Sequence, residues 1–149
     1  MSFLVFIHIT AAIIFVGNII TAAFWKVKAA FSKDETHIHL TAKNIMTADH
    51  VFTLPGIIVL LISGFILAAD SSYTLHAINW LSVSLALFAL TGVIWAAILL
   101  PLQRKMIHYS GEPFNQASYQ KASRIWDVVG SLSTIIPLII LYLMIAKPF

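Results

Sequence analysis

Apolar residues along the chain gather into four long blocks: Phe3 to Phe24, Val51 to Ala69, Ile78 to Leu100, and Trp126 to Ala146. Each block is close to the ~20 residues that cross a hydrocarbon layer of ~30 Å at a rise of 1.5 Å per residue. Inside lipid the backbone must satisfy its own hydrogen bonds, so the pattern predicts four transmembrane α-helices. The intervening polar segments carry weaker signals. Ser32-Lys33-Asp34-Glu35 has the S-x-x-E form of a capping box, which predicts a short helix starting there. On that helix Ile38, Ala42 and Ile45 fall within ~40° of one another, a weak apolar stripe suited to a membrane surface. Ser110-Gly111-Glu112-Pro113 reads as a turn with the proline placed to start a helix, and from Phe114 the pattern can run unbroken into the fourth span. The expected architecture is therefore an all-α transmembrane four-helix bundle, one domain over residues 1–149, with a short interfacial helix on the cytoplasmic side.

Composition fixes the solvent. Hydrophobic residues make up 60% of the chain and charged residues 10%, with a mean hydropathy of +0.92, whereas soluble domains carry about 25% charged residues. The bilayer is thus the expected partner, and no nucleic acid is. The first block lacks a basic region before it, so it is expected to be a membrane helix and not a signal peptide. Eight of the nine Lys and Arg residues lie in two connections: Lys26, Lys28, Lys33 and Lys43 in one, Arg104, Lys105, Lys121 and Arg124 in the other. By the positive-inside rule both connections are cytoplasmic and both termini face outward, as in a bacterial inner membrane. Lys147 is the exception. Trp25, Trp95 and Trp126 then fall at the inner boundary and Trp80 at the outer one, where interfacial anchors are expected.

Several chemistries are excluded or disfavoured. Without cysteine there are no disulfides, thiolate nucleophiles or cysteine-held metals. No Asp, Glu, Lys or Arg occupies the middle of any span, which disfavours a proton-coupled pump or secondary transporter. No nucleophile–base motif and no H-E-x-x-H occurs.

Small and polar residues predict the helix seams, because close packing and polar contacts hold membrane helices together. The candidates are Thr10, Gly17 and Thr21 in span one, Gly56, Ser63 and Gly64 in span two, Ser84, Thr91 and Trp95 in span three, and Asp127, Ser131 and Thr134 in span four. Pro137 removes a backbone donor from span four and predicts a bend.

His8 is the one imidazole inside a span. It suits either a hydrogen bond to a neighbouring helix or the role of haem, metal or proton ligand. His76 begins span three on the same side and is its candidate partner; His50 lies at the opposite end. His37 and His39 diverge by ~200° on a helix and cannot chelate together there. At the inner boundary Trp25, Lys26, Asp49, His50, Thr53, Trp95, Arg104, Trp126 and Asp127 share one depth. There Asp49 and Asp127 can pair with Lys26 or Arg104, or Asp49 can cap span two; an anion or substrate pocket is the functional alternative.

His8 with Gly17-Asn18, Ala48-Asp49 with Phe52-Thr53-x-Pro55-Gly56, Ser63-Gly64, Leu100-Pro101-Leu102-Gln103, Trp126-Asp127 and Met144-x-x-Lys147-Pro148 resemble, over essentially the whole chain, a bacterial family of small integral membrane proteins of unknown function. More distantly, the layout is similar to the HemJ type of protoporphyrinogen oxidase and to CopD-type copper-resistance proteins. The HemJ resemblance rests on His8 and on the terminal Lys147-Pro148-Phe149, and it implies haem b or another tetrapyrrole held at His8 with Lys147 beside it. The chain departs from that pattern at Ser82 and Ser84, where the HemJ pattern has a histidine and a lysine. It departs again at Ile20-Thr21-Ala22-Ala23, where that pattern has an arginine.

Two classes of function therefore stand side by side: a tetrapyrrole-binding protein for redox chemistry or cofactor handling, and a non-enzymatic membrane subunit or small-molecule permeation protein. Copper handling is weaker, because Met1, Met46, Met106 and Met144 are scattered. Four helices bury little surface, so a homodimer is allowed but not derivable.

Overall fold

The computed structural model describes residues 1–149 and is all-α. Its elements are α1 (Ser2–Ser32), α2 (Glu35–Ala48), a wide turn at Asp49–Thr53, α3 (Leu54–Ala69), α4 (Trp80–Ile94), a second wide turn at Trp95–Leu99, α5 (Leu100–Ser110) and α6 (Gln116–Ala146). The wide turns do not break the rods. Four continuous helices result, Ser2–Ser32, Glu35–Ala69, Trp80–Ser110 and Gln116–Ala146, each long and apolar enough to cross a membrane.

These rods outrun the apolar blocks. The 31 residues of α1 and of α6 span ~46 Å at 1.5 Å per residue, some 15 Å more than the hydrocarbon thickness. The excess falls at the basic end, where α2, α5, the end of α1 and the start of α6 continue the bundle. Ile38, Ala42 and Ile45 accordingly pack on neighbouring helices and not on a membrane surface. The start of α2 also differs from expectation. Ser32 closes the last turn of α1, its Oγ donating to the Ala29 carbonyl at 2.6 Å, and Lys33 turns the chain with φ 55°. Asp34 is the cap instead, its Oδ1 accepting from the Thr36 and His37 amides. Similarly, α6 starts at Gln116 capped by Asn115, not at Pro113, and then runs unbroken through Pro137.

Packing is tightest where the bundle leaves the apolar blocks. Ala22, Ile45, Leu99, Leu102, Met106, Tyr119, Ala122 and Trp126 form the largest cluster, against three-residue clusters at Ala11, Phe15 and Leu60 and at Trp80, Leu81 and Leu143. Burial of apolar surface drives helices together where water competes, and not where lipid does. Within the spans the seams are made as membrane seams are. Gly56 lets α3 approach α1 so closely that a Cβ there would meet Phe15 Cβ at 3.4 Å. Ser63, Ser84 and Thr91 are buried as the sequence predicted.

Two seams lie on other faces than the small and polar residues predict. On α1 the buried line is Ala11, Phe15, Ala22, Lys26 and Ala29, while Gly17 and Thr21 are exposed. On α6 it is Trp126, Ser133, Pro137, Ile140 and Leu143, one step round from Asp127, Ser131 and Thr134. Polarity alone does not mark a buried face: a threonine whose hydroxyl bonds its own helix, as Thr21 does to the Gly17 carbonyl at 2.9 Å, is satisfied facing lipid. The tryptophans also depart from the interfacial picture. Trp25 is exposed, but Trp80 and Trp126 are buried and Trp95 turns inward.

Candidate functional site

The two wide turns hold the site. Each is closed by an i→i+5 hydrogen bond, from the Leu54 amide to the Asp49 carbonyl and from the Leu100 amide to the Trp95 carbonyl, and each is followed at once by a proline, Pro55 or Pro101. Proline has no N–H and its ring collides with the carbonyl four residues back in an α-turn; widening the turn relieves that collision. Asp49 and Thr53 on the first turn and Trp95 on the second are thereby aimed at each other.

Asp49 is the centre. It is buried, 6% exposed, and no cation touches it. Four neutral groups surround it instead. Oδ1 accepts from Asn18 Nδ2 at 3.0 Å and Thr53 Oγ1 at 2.9 Å; Oδ2 accepts from Gln103 Nε2 at 2.7 Å and Trp95 Nε1 at 3.3 Å. Asn18 also donates to Thr53 Oγ1 at 2.8 Å. A carboxylate offers about four acceptor positions, so the chain itself fills them all. The network joins three of the four rods, and it includes Asn18, which lies six residues, or ~9 Å of rise, inside the end of the first apolar block.

This network has a consequence for Gln103. With its amide nitrogen held on Asp49, its Oε1 turns away, buried and without a partner. Trp126 Nε1 is likewise buried and unpaired. Both residues line one cavity of about 360 Å³, enclosed by Phe15 and Ala22 of α1, Thr91 and Trp95 on the third rod, and Ser133 and Thr134 of α6. The cavity opens between α1 and α6, where Ala23 and Ser131 are exposed. Behind two of its lining residues, Trp126 and Asp127, lies the Lys26 side chain. That ammonium, 5% exposed, donates to Asp127 Oδ1 and Ser123 Oγ at 2.6 Å each and lies over the Trp126 ring.

The residues singled out from sequence divide accordingly. Asp49, Thr53, Trp95, Trp126 and Asp127 meet around this cavity, with Lys26 held behind it by Asp127 and not by Asp49. Asp49 does not cap a helix start, because α2 runs straight into its turn. Arg104 and Trp25 face outward, and His50 is exposed with Nδ1 on the Met46 carbonyl. Asn18 and Gln103 were missed as site residues, although amides inside or beside apolar blocks need partners and so carried a signal.

At the other end His8 Nδ1 lies 2.7 Å from Ser63 Oγ. Ser63 already donates to the Val59 carbonyl at 2.6 Å, so His8 is assigned as the Nδ1–H donor, leaving the Nε2 lone pair free. Its ring rests on Gly64, where a Cβ would meet Cε1 at 3.4 Å. Lys147 stands over the Trp80 ring at 5.1 Å, beside the α4 start that Phe149 binds through its carbonyl, and His76 is exposed in the 70–79 connection. His8, Lys147 and His76 thus have separate surroundings. His39 pairs with Ser110 at 2.9 Å, joining α2 to α5, while His37 is exposed.

Residues 2–148 match the model of a family described as "Predicted integral membrane protein (DUF2269)". The chain belongs to that family. No curated protein and no solved structure matches it.

Proposed function

We propose that this DUF2269 protein binds a small, neutral, lipid-soluble molecule bearing a hydroxyl group in the cavity beside Asp49. The observation that carries this reading is that two residues lining one cavity, Gln103 and Trp126, each hold a buried polar atom without a partner, Oε1 and Nε1. Each orphan costs ~1–3 kcal/mol if left unpaired. One is an acceptor and the other a donor, and a hydroxyl reaching in from the cavity can pair with either, donating to the first or accepting from the second. Charge is not demanded of the ligand, because Asp49 is saturated by the chain and Lys26 is matched by Asp127. The volume suits a ring-sized molecule, and the opening between α1 and α6 favours entry from the bilayer. The protein sits in a bacterial inner membrane with its two basic connections cytoplasmic and both termini outside.

The test is photolabelling of protein in nanodiscs by a diazirine-bearing lipophilic phenol. Labelling is expected inside the cavity, displaced by 1-naphthol and far less by its O-methyl ether, which cannot donate. Gln103→Leu and Trp126→Phe should each weaken it about tenfold, the worth of one buried hydrogen bond. Equal competition by the ether, or full labelling of both folded variants, would refute the reading.

A second reading keeps haem b or another tetrapyrrole at His8. What favours it is the Nδ1–H held by Ser63, the arrangement that orients a ligating imidazole and leaves Nε2 for iron. Lys147 would then act from its place over Trp80 and not as a direct neighbour. A Soret band after haem supplementation, lost in His8→Ala and shifted in Ser63→Ala, is the expected result; no band in the parent protein would remove this reading.

A further inference from the structure

A different part of the molecule presents a basic groove. Between α5 and α6, on the outside of the bundle, a groove of about 210 Å³ has Lys105 and Lys121 on its rim. Both are exposed. The chain's single ion pair is Lys26 with Asp127, so neither lysine has a carboxylate. Arg104 and Arg124 flank them, also exposed and unpaired, and Glu112 is the only acid from Leu100 to Trp126.

Depth and shape narrow the occupant. Lys105 lies five residues past Leu100 and Lys121 five residues before Trp126, the ends of their apolar blocks. Both are therefore ~7 Å beyond the hydrocarbon edge by helical rise, within the headgroup layer. The groove changes character along its length. Toward the apolar blocks its floor is Leu102, Ala122 and Ile125; away from them it offers the side chains of Tyr109 and Ser118. A soluble anion would use only the polar end. A phospholipid would use both, its phosphate between the lysines and an acyl chain along the apolar floor.

We infer that the α5–α6 groove binds the headgroup of an anionic phospholipid. Lysines near a membrane surface each strengthen such binding severalfold, and the pair should act together because both face one groove.

The experiment is native mass spectrometry of delipidated protein titrated with phosphatidylglycerol or with phosphatidylcholine of the same chains. One phosphatidylglycerol is expected to be retained at least tenfold more tightly. Lys105→Ala/Lys121→Ala should weaken that retention by roughly 30-fold, at about tenfold per 1.4 kcal/mol, whereas Lys33→Ala/Lys43→Ala should leave it unchanged. Inorganic phosphate at millimolar concentration should not displace the lipid. Equal loss in the two double variants would mean diffuse attraction and overturn the site. Equal retention of the two lipids would also overturn it, and displacement by phosphate would overturn the assignment to a lipid.

Discussion

At the scale of the residue, the buried polar side chains here are organised by saturation. Asp49 tolerates burial because four neutral donors meet it, which makes each donor's loss less damaging than loss of the acceptor. Asp49→Ala would leave four donors facing one another, and unfolding in detergent should show a loss of about 3 kcal/mol or more. Asn18→Leu leaves three donors on the carboxylate and should cost about 1–2 kcal/mol in the same assay. The Lys26–Asp127 pair is asymmetric in another way: the lysine side chain is 6% exposed and the aspartate 51%. After Lys26→Met, Asp127 can take up water. After Asp127→Asn, a buried ammonium keeps the Ser123 hydroxyl, a neutral amide in place of the carboxylate, and an aromatic face. The aspartate variant should therefore melt lower than the lysine variant, and the reverse order would contradict the burial assigned to Lys26. Of these residues Asp49, Lys26 and Asp127 stood out in the sequence by charge. Asn18 did not, because a single amide in an apolar run looks like a packing residue until its partners are known.

At the scale of the element, the four helices were legible because lipid imposes a length and a composition on each span. Their faces were not. Small residues mark a seam only where another backbone approaches, and the chain has both kinds. Gly56 meets Phe15, while nothing lies within 4 Å of a Cβ at Gly17. Gly56→Leu should destabilise the α1–α3 pair by about 1–3 kcal/mol, and Gly17→Leu should change stability within about 0.5 kcal/mol; thermal unfolding of the two variants side by side checks this. The wide turns were hidden for a related reason. Pro55 and Pro101 announce a disturbed helix, but whether the chain kinks, ends or widens depends on what the rotated residues find. Here Asp49 finds Gln103, Trp95 and Asn18.

At the scale of the whole molecule, an even number of spans puts the 33–34 and 111–115 connections at one end and the 70–79 connection with both termini at the other. The chain has no cysteine, so single introduced thiols report orientation cleanly. In intact cells an impermeant maleimide should label Ser72→Cys, and should reach Gly111→Cys only after permeabilisation. The opposite pattern would invert the orientation proposed from charge. Sequence by itself determined that the chain lives in lipid, crosses it four times as helices, and concentrates its polar chemistry near the basic end. Those properties are sums along the chain, set by hydration energies that no neighbour can reverse. Tertiary structure alone decided that Asp49 goes to neutral donors and Lys26 to Asp127, that His8 meets Ser63 while Lys147 covers Trp80, and that Gln103 and Trp126 share a cavity. A partner in space depends on the rotation and register of each rod, and in a bilayer those are settled by contacts between helices, since lipid solvates every apolar face equally well.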